Sequence, residues 1–235
     1  SEMCIRDSNI GYERFVGPRV KNAEGNDMPK VIDMGLYEYQ YPLELANLDA
    51  VYVATEESGN ASGDSWENAT SDLRGALVAM ANPNLANRTD RAVYIKAGEY
   101  NMRASLALGG AKKAAYWINM AQDNGALESL KVEGSYDDAG NQNFSRPTVI
   151  SISPADGKES TVLLDIKTNT KPVTVTGLAF HSAGTGVQAN ASGAEGKLTL
   201  KNVAFQDNHT GADLTGTTGE VLICLLYTSD AADEL

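Results

Sequence analysis

The sequence predicts an all-β solenoid, a right-handed single-stranded parallel β-helix, and three observations carry the prediction. First, Val173-Thr174-Val175-Thr176-Gly177-Leu178-Ala179-Phe180 recurs as Leu198-Thr199-Leu200-Lys201-Asn202-Val203-Ala204-Phe205, an offset of 25 residues. The register continues, with Gly186-Val187-Gln188-Ala189 set against Gly211-Ala212-Asp213-Leu214. Backwards, Arg146-Pro147-Thr148-Val149 stands 25 residues before Lys171-Pro172-Val173-Thr174. A fixed period of this size marks units that stack on their neighbours and do not fold alone. Second, Val173 and Val175, then Leu198 and Leu200, alternate with Thr or Lys, which is strand periodicity. Third, Gly and Asn separate the apolar runs and helical spacing is absent there. Each unit is therefore built of short strands and turns.

Two segments stand outside this pattern. Residues 1–8 and 224–235 resemble translated sequencing-adapter read-through, and such segments carry no fold information. Both cysteines, Cys4 and Cys224, lie in them, so no disulfide framework can be argued. The two ends carry net charges of −1 and −3, which leaves −8 of the chain's −12 on the rest. An acidic chain lacks the basic face that sequence-independent nucleic-acid binding requires. No run approaches the roughly 18 apolar residues of a spanning helix.

Taken in order, residues 9–42 read as the C-terminal end of a preceding domain. Residues 43–49 read as a linker, entered just after Pro42, which pushes Tyr41 into extended geometry. A domain covering 50–223 then opens with a strand at 51–54 and a polar loop, 55–64. One amphipathic helix is expected near 71–82: Leu73, Ala76, Leu77 and Met80 fall on one face. Ser71 is the expected N-cap, and Asn82-Pro83 the stop. Such a helix would cap the first rung, whose open edge would otherwise invite aggregation. Further strands are expected at 92–100, 105–108, 115–120, 130–136 and 161–166. Phe180 and Phe205 should stack in neighbouring rungs, both buried. Thr174, Thr176, Gln188, Thr199 and Lys201 should point outward.

Several phrases resemble those of secreted bacterial β-helix proteins with a pectin-lyase-like fold. The order Tyr52-Val53, a Gly-rich loop, Ser65-Trp66-Glu67-Asn68-Ala69, the helix, then Val93-Tyr94 and Gly98-Glu99-Tyr100 is similar to the opening of many such surface domains. Asp33-Met34-Gly35-Leu36-Tyr37-Glu38 resembles the phrase that closes them. Phe205-Gln206-Asp207-Asn208 resembles the Phe-x-x-Asn repeat of polymorphic outer-membrane proteins and adhesins. The resemblance implies a secreted or cell-surface location and a polysaccharide or surface glycan as partner, without membrane insertion in this stretch.

Chemistry is sparse. His181 and His209 sit in non-equivalent positions without the spacing of a zinc site. No catalytic residue is assigned. Asp137 and Asp138, in the densest acidic turn, are weak calcium candidates, with a polar turn as the simpler role. Arg146-Pro147 resembles a phrase of pectate lyases, but no Asp recurs one period from Arg146. Asp165 and Asn190 stand one period apart, as do Gln188 and Asp213, which pairs one carboxylate with one amide each time. Six Asn-x-Ser/Thr sequons, at Asn60, Asn68, Asn87, Asn143, Asn190 and Asn208, fit turn-forming Asn beside strand-forming Thr and Ser. The expected function is non-catalytic glycan or surface binding by a repetitive face. The alternative is the N-terminal part of a polysaccharide lyase or glycoside hydrolase whose catalytic rungs lie further on.

Overall fold

The structure, a computed structural model, describes residues 45–82, 90–102, 113–120, 127–152, 161–191, 196–217 and 219–225. The expectations for residues 9–42 and the strand at 105–108 lie outside these. A 3₁₀ turn, Leu45–Asn47, leads into β1 (Ala50–Val53), and α1 (Leu73–Ala81) follows a long loop. Next come β2 (Asp90–Lys96), β3 (Gly98–Met102) and β4 (Lys113–Asn119). The same triplet is then repeated as β5 (Ser129–Tyr136), β6 (Thr148–Ile152) and β7 (Thr161–Asn169). A third round is β8 (Val173–Thr176), β9 (Leu178–His181) and β10 (Thr185–Ala191). In the fourth, β11 (Leu198–Gln206) runs through two sheets before β12 (Thr210–Asp213); β13 (Val221–Leu225) begins a fifth.

All strand pairs among these elements are parallel. The first stack is β1-β2-β5-β8-β11-β13, the second β3-β6-β9-β11 and the third β4-β7-β10-β12. A chain that visits three parallel stacks in the same order on each pass is compatible with a β-helix-like solenoid. The interior is filled by the inward residues of each pass. Val51, Val93, Val132, Val175 and Leu200 are in register, and all are buried.

The 25-residue repeat is structural. Leu198 pairs with Val173, Leu200 with Val175 and Phe205 with Phe180. Its corners explain the punctuation. Gly177 (φ 68°) and its repeat-mate Asn202 (φ 51°) turn the chain from the first sheet to the second. Ser182 (φ 61°) and Asp207 (φ 53°) turn it from the second toward the third. Left-handed backbone is least costly for Gly, Asn and Asp, which is why these types recur at corners.

Extending the repeat backwards fails. Thr148 pairs with Leu178 in the second stack, whereas Val173 pairs with Leu130 in the first. The segments 146–149 and 171–174 therefore belong to different sheets, because the loop after β5 lengthens that pass. Asp165 pairs with Gln188, not with Asn190, because β7 and β10 pair at an offset of 23 residues from Val162 and Thr185 onward, not at 25. The strand expected over 92–100 is two, broken beside Gly98 (φ 152°). Thr176 is buried, against expectation, while Thr174 and Thr199 are half-buried and Lys201 exposed.

Phe180 and Phe205 stack with ring centroids 5.7 Å apart and planes 19° from parallel. Phe180 is fully buried, but Phe205 is only half-buried. Among the described residues no strand pairs with β11 beyond Phe205 in that sheet, so one side of the ring has no further rung against it. Two glycines leave room for it: a Cβ on Gly186 would lie 2.7 Å from Phe205 Cδ1, and one on Gly211 3.2 Å from Phe205 Cγ. Asn208 ties the same two rungs, donating from Nδ2 to Phe180 O at 2.7 Å and accepting at Oδ1 from Ala183 N–H at 3.0 Å. An asparagine three residues after the aromatic thus satisfies the backbone of the rung before it.

The cap forms as its apolar spacing requires. Leu73, Ala76, Leu77 and Met80 are all buried, and α1 packs on β1, β2 and β4. Asp72, not Ser71, is the N-cap, accepting from Gly75 N–H at 2.8 Å, while Ser71 Oγ donates to Glu57. From Leu45 on, the expected linker is part of the packed unit, with Leu45 and Ala46 buried against α1. Arg91, 1% exposed, secures it by donating to Ala46 O (3.4 Å) and Leu48 O. At the other end, Cys224 and Leu225, inside the adapter-like segment, continue β13 opposite Lys201 and Val203. Backbone pairing on a parallel template is indifferent to side chains, so the strand runs on past Ile223.

Candidate functional site

The first sheet's second column holds Tyr52, Tyr94, Glu133, Thr176, Lys201 and Cys224 in register. At its β1–β5 end this column gathers four aromatic rings. The loop after β1 brings Trp66 back over Tyr52, with centroids 4.9 Å apart in an edge-on arrangement. The loop is held by Tyr52 N–H donating to Gly63 O, Gly63 N–H to Asn68 O and Ala69 N–H to Ser58 Oγ. Gly63 takes φ 73°, where a Cβ would press on Leu45 and Val51 at 3.0 Å. Tyr136 ends β5 opposite Lys96 after a register shift, and lies 5.4 Å from both Trp66 and Tyr94. Tyr94 and Tyr52 are also 5.4 Å apart, which closes the quartet.

Polar groups border the rings. Lys96 Nζ stands 5.7 Å from the Trp66 centroid and 3.2 Å from Asp138 Oδ1. Tyr136 donates its hydroxyl proton to Glu133 Oε2 at 2.8 Å. All four rings are half-buried. Edge-on and tilted pairs of this kind add about 0.5–1.5 kcal/mol each beyond area burial. The quartet thus holds itself together while leaving aromatic surface outside.

Burial pushes the Tyr94 phenol up, with the Glu133 charge adding to it. Burial likewise raises Tyr136, helped by its hydrogen bond to Glu133, and raises the interior phenols Tyr100 and Tyr116. At neutral pH all are uncharged phenols. Their raised folded-state values contribute stability that is complete below about pH 10, the ordinary tyrosine range. That stability is lost as pH climbs from there through the folded values. The melting temperature is therefore expected to fall above pH 10, with tyrosinate absorbance appearing together with unfolding. Tyrosinate formation well before any loss of structure would contradict these placements.

The calcium candidates have other duties. Asp137 Oδ1 accepts from Ala139 N–H (3.0 Å) and Asn141 N–H (2.8 Å), closing a turn, and Asp138 pairs with Lys96. Gly140 in that turn has φ 77°, and a Cβ there would lie 2.9 Å from Trp66 Nε1. Among the described residues no three His, Cys, Asp or Glu side chains gather where they could hold a metal ion. His181 pairs with Ser151 and Gln206 along the second stack, and His209 is exposed at a turn. Asn60 and Asn143 each accept from the backbone N–H two residues on, and Asn68 donates to Asp64, which are turn-forming roles for three of the sequons.

A second polar column lies on the third sheet: Trp117, Asp165, Gln188 and Asp213. The Arg74 guanidinium sits 5.0 Å from the Trp117 centroid and donates to Ala115 O at 2.6 Å, while Lys167 Nζ is 5.5 Å from the same ring. Asp165 and Asp213 are two rungs apart, roughly 10 Å at the usual strand spacing. That is at or beyond the outer limit for an acid–base pair in glycoside hydrolysis. Gln188 stands between them, and Asp213 Oδ1 already accepts from Thr215 N–H and Oγ1.

Sequence reasoning did not single out the quartet. A signal existed: Tyr52, Tyr94 and Tyr136 are each 42 residues apart. It is misleading as register, because Tyr94 faces Glu133 and only the shift before Lys96 brings Tyr136 alongside. Compared with known proteins, the chain matches no family model, no curated protein and no solved structure.

Proposed function

We propose that the chain is part of a right-handed, pectin-lyase-like parallel β-helix from a secreted or cell-surface bacterial protein. On this reading it binds glycans without catalysis, through the outer face of its first sheet. The observation that carries it is the quartet of Tyr52, Trp66, Tyr94 and Tyr136, half-buried and bordered by Lys96, Glu133 and Asp138. Apolar ring surface stacks on the C–H faces of a sugar, while carboxylates and an ammonium take its hydroxyls. The outward Thr174, Thr199 and Lys201 continue the polar surface on later rungs. A single domain of this kind binds weakly and gains strength by avidity in an array.

The test is retention of the 235-residue chain on a panel of immobilised soluble polysaccharides, with product analysis of the flow-through. Retention of at least one glycan is expected, weakened about tenfold by Trp66→Ala, which corresponds to about 1.4 kcal/mol. No unsaturated or reducing-end product should accumulate. Retention indifferent to Trp66→Ala would remove the quartet from the reading, and product formation would replace it with the enzyme alternative.

A further inference from the structure

We infer that the quartet selects uncharged glycan chains and rejects polyuronic or sulfated ones, an inference that rests on the binding reading above. The loop that carries Trp66 is net acidic. Glu56, Glu57, Asp64 and Glu67 are exposed on it, and between residues 55 and 68 it has no Lys or Arg. Glu133, which accepts from Tyr136, and Asp138, which pairs with Lys96, add carboxylates beside the rings, with Asp137 next to Asp138 in the same turn. Lys96 on β2 and Lys131 on β5 are the ammonium groups on the strands that carry Tyr94 and Tyr136. Lys96 is held between Asp138 and the Trp66 ring. Lys131 is exposed one outward position before Glu133 on the same strand.

A polyanion approaching the rings would meet like charge beside them, and its best cationic partner is already engaged. Like-charge juxtaposition slows encounter and costs affinity, most at low ionic strength. A neutral chain meets no such barrier. Its hydroxyls can donate to Glu133, whose carboxylate has about four acceptor positions and spends one on Tyr136. Stacking on Trp66 and the tyrosines then carries the affinity, independently of salt.

Affinity electrophoresis of the full chain in gels containing a neutral β-glucan, a galactomannan or polygalacturonate tests this at low and high salt. Retardation by a neutral polymer, little changed by salt and lost with Trp66→Ala, is the expected result, with none by polygalacturonate. A Glu56→Lys/Glu67→Lys variant should be retarded at low salt by polygalacturonate at a concentration at least tenfold below the highest one that leaves the parent unretarded, and should keep its neutral retardation. Both positions are exposed, and an unchanged melting temperature would show that the variant folds. Polygalacturonate retardation of the parent chain that is lost with Trp66→Ala would overturn the selectivity while leaving glycan binding intact. Failure of the double variant to gain polygalacturonate binding would also overturn it. Retardation by none of the polymers would instead remove the binding reading itself.

Discussion

Replacing Phe180 with alanine is expected to cost about 3–5 kcal/mol, the usual range for emptying a large aromatic site in a packed core. Phe180 is fully buried between Ile150 and Phe205 in register, and its backbone carbonyl is fixed by Asn208. The cavity could not collapse easily, because rungs on both sides are tied by parallel strand pairing. Phe205→Ala should cost clearly less, about 1–3 kcal/mol, since part of that ring is already in water. Urea unfolding of the two variants gives the comparison directly. Equal costs would mean that Phe205 is as enclosed as its repeat-mate, against the placement described above.

Arg91→Ala is expected to destabilise by about 3 kcal/mol, through a different route. The Arg91 guanidinium is buried and serves the carbonyls of Ala46 and Leu48, so its loss leaves one buried and one half-buried acceptor without their donor. Hydrogen bonds to a charged group are worth about 1.5–3 kcal/mol, and the aliphatic stem adds packing. Arg91→Lys keeps a charge but not the planar fork, and should fall between the two. The effect should also be local. Limited proteolysis is expected to open the stretch around 45–49 in Arg91→Ala before the rest of the chain. A variant as stable as the parent, with this stretch still protected, would show that α1 alone holds the cap.

The period of the later rungs was legible because it is written in local chemistry. Between Val173 and Phe205 the passes have equal length, and left-handed corners fall at equal intervals on small or polar residues, Gly177 with Asn202 and Ser182 with Asp207. The earlier passes are lengthened by loops, so Val93 pairs with Val132 and Val132 with Val175 at offsets no fixed period reveals. The helix face was legible for the same local reason, as i, i+3, i+4, i+7 spacing. Its N-cap was not, since Ser71 and Asp72 are adjacent and both competent. Geometry chose the carboxylate that reaches Gly75.

By itself, then, the sequence determined that this chain forms short strands with one apolar and one polar face, punctuated by corners, and that one helix covers an end. These follow from periods of two and 3.6 residues, which depend only on near neighbours. Tertiary structure alone decided which rung lies on which. It placed Asp165 beside Gln188, left Phe205 half-exposed, and brought Trp66 from a loop onto three tyrosines of the first sheet. Loop length does not fix where a loop returns, and one bulge shifts every later pair. The candidate binding surface depends on both, so it exists only once the rungs have stacked.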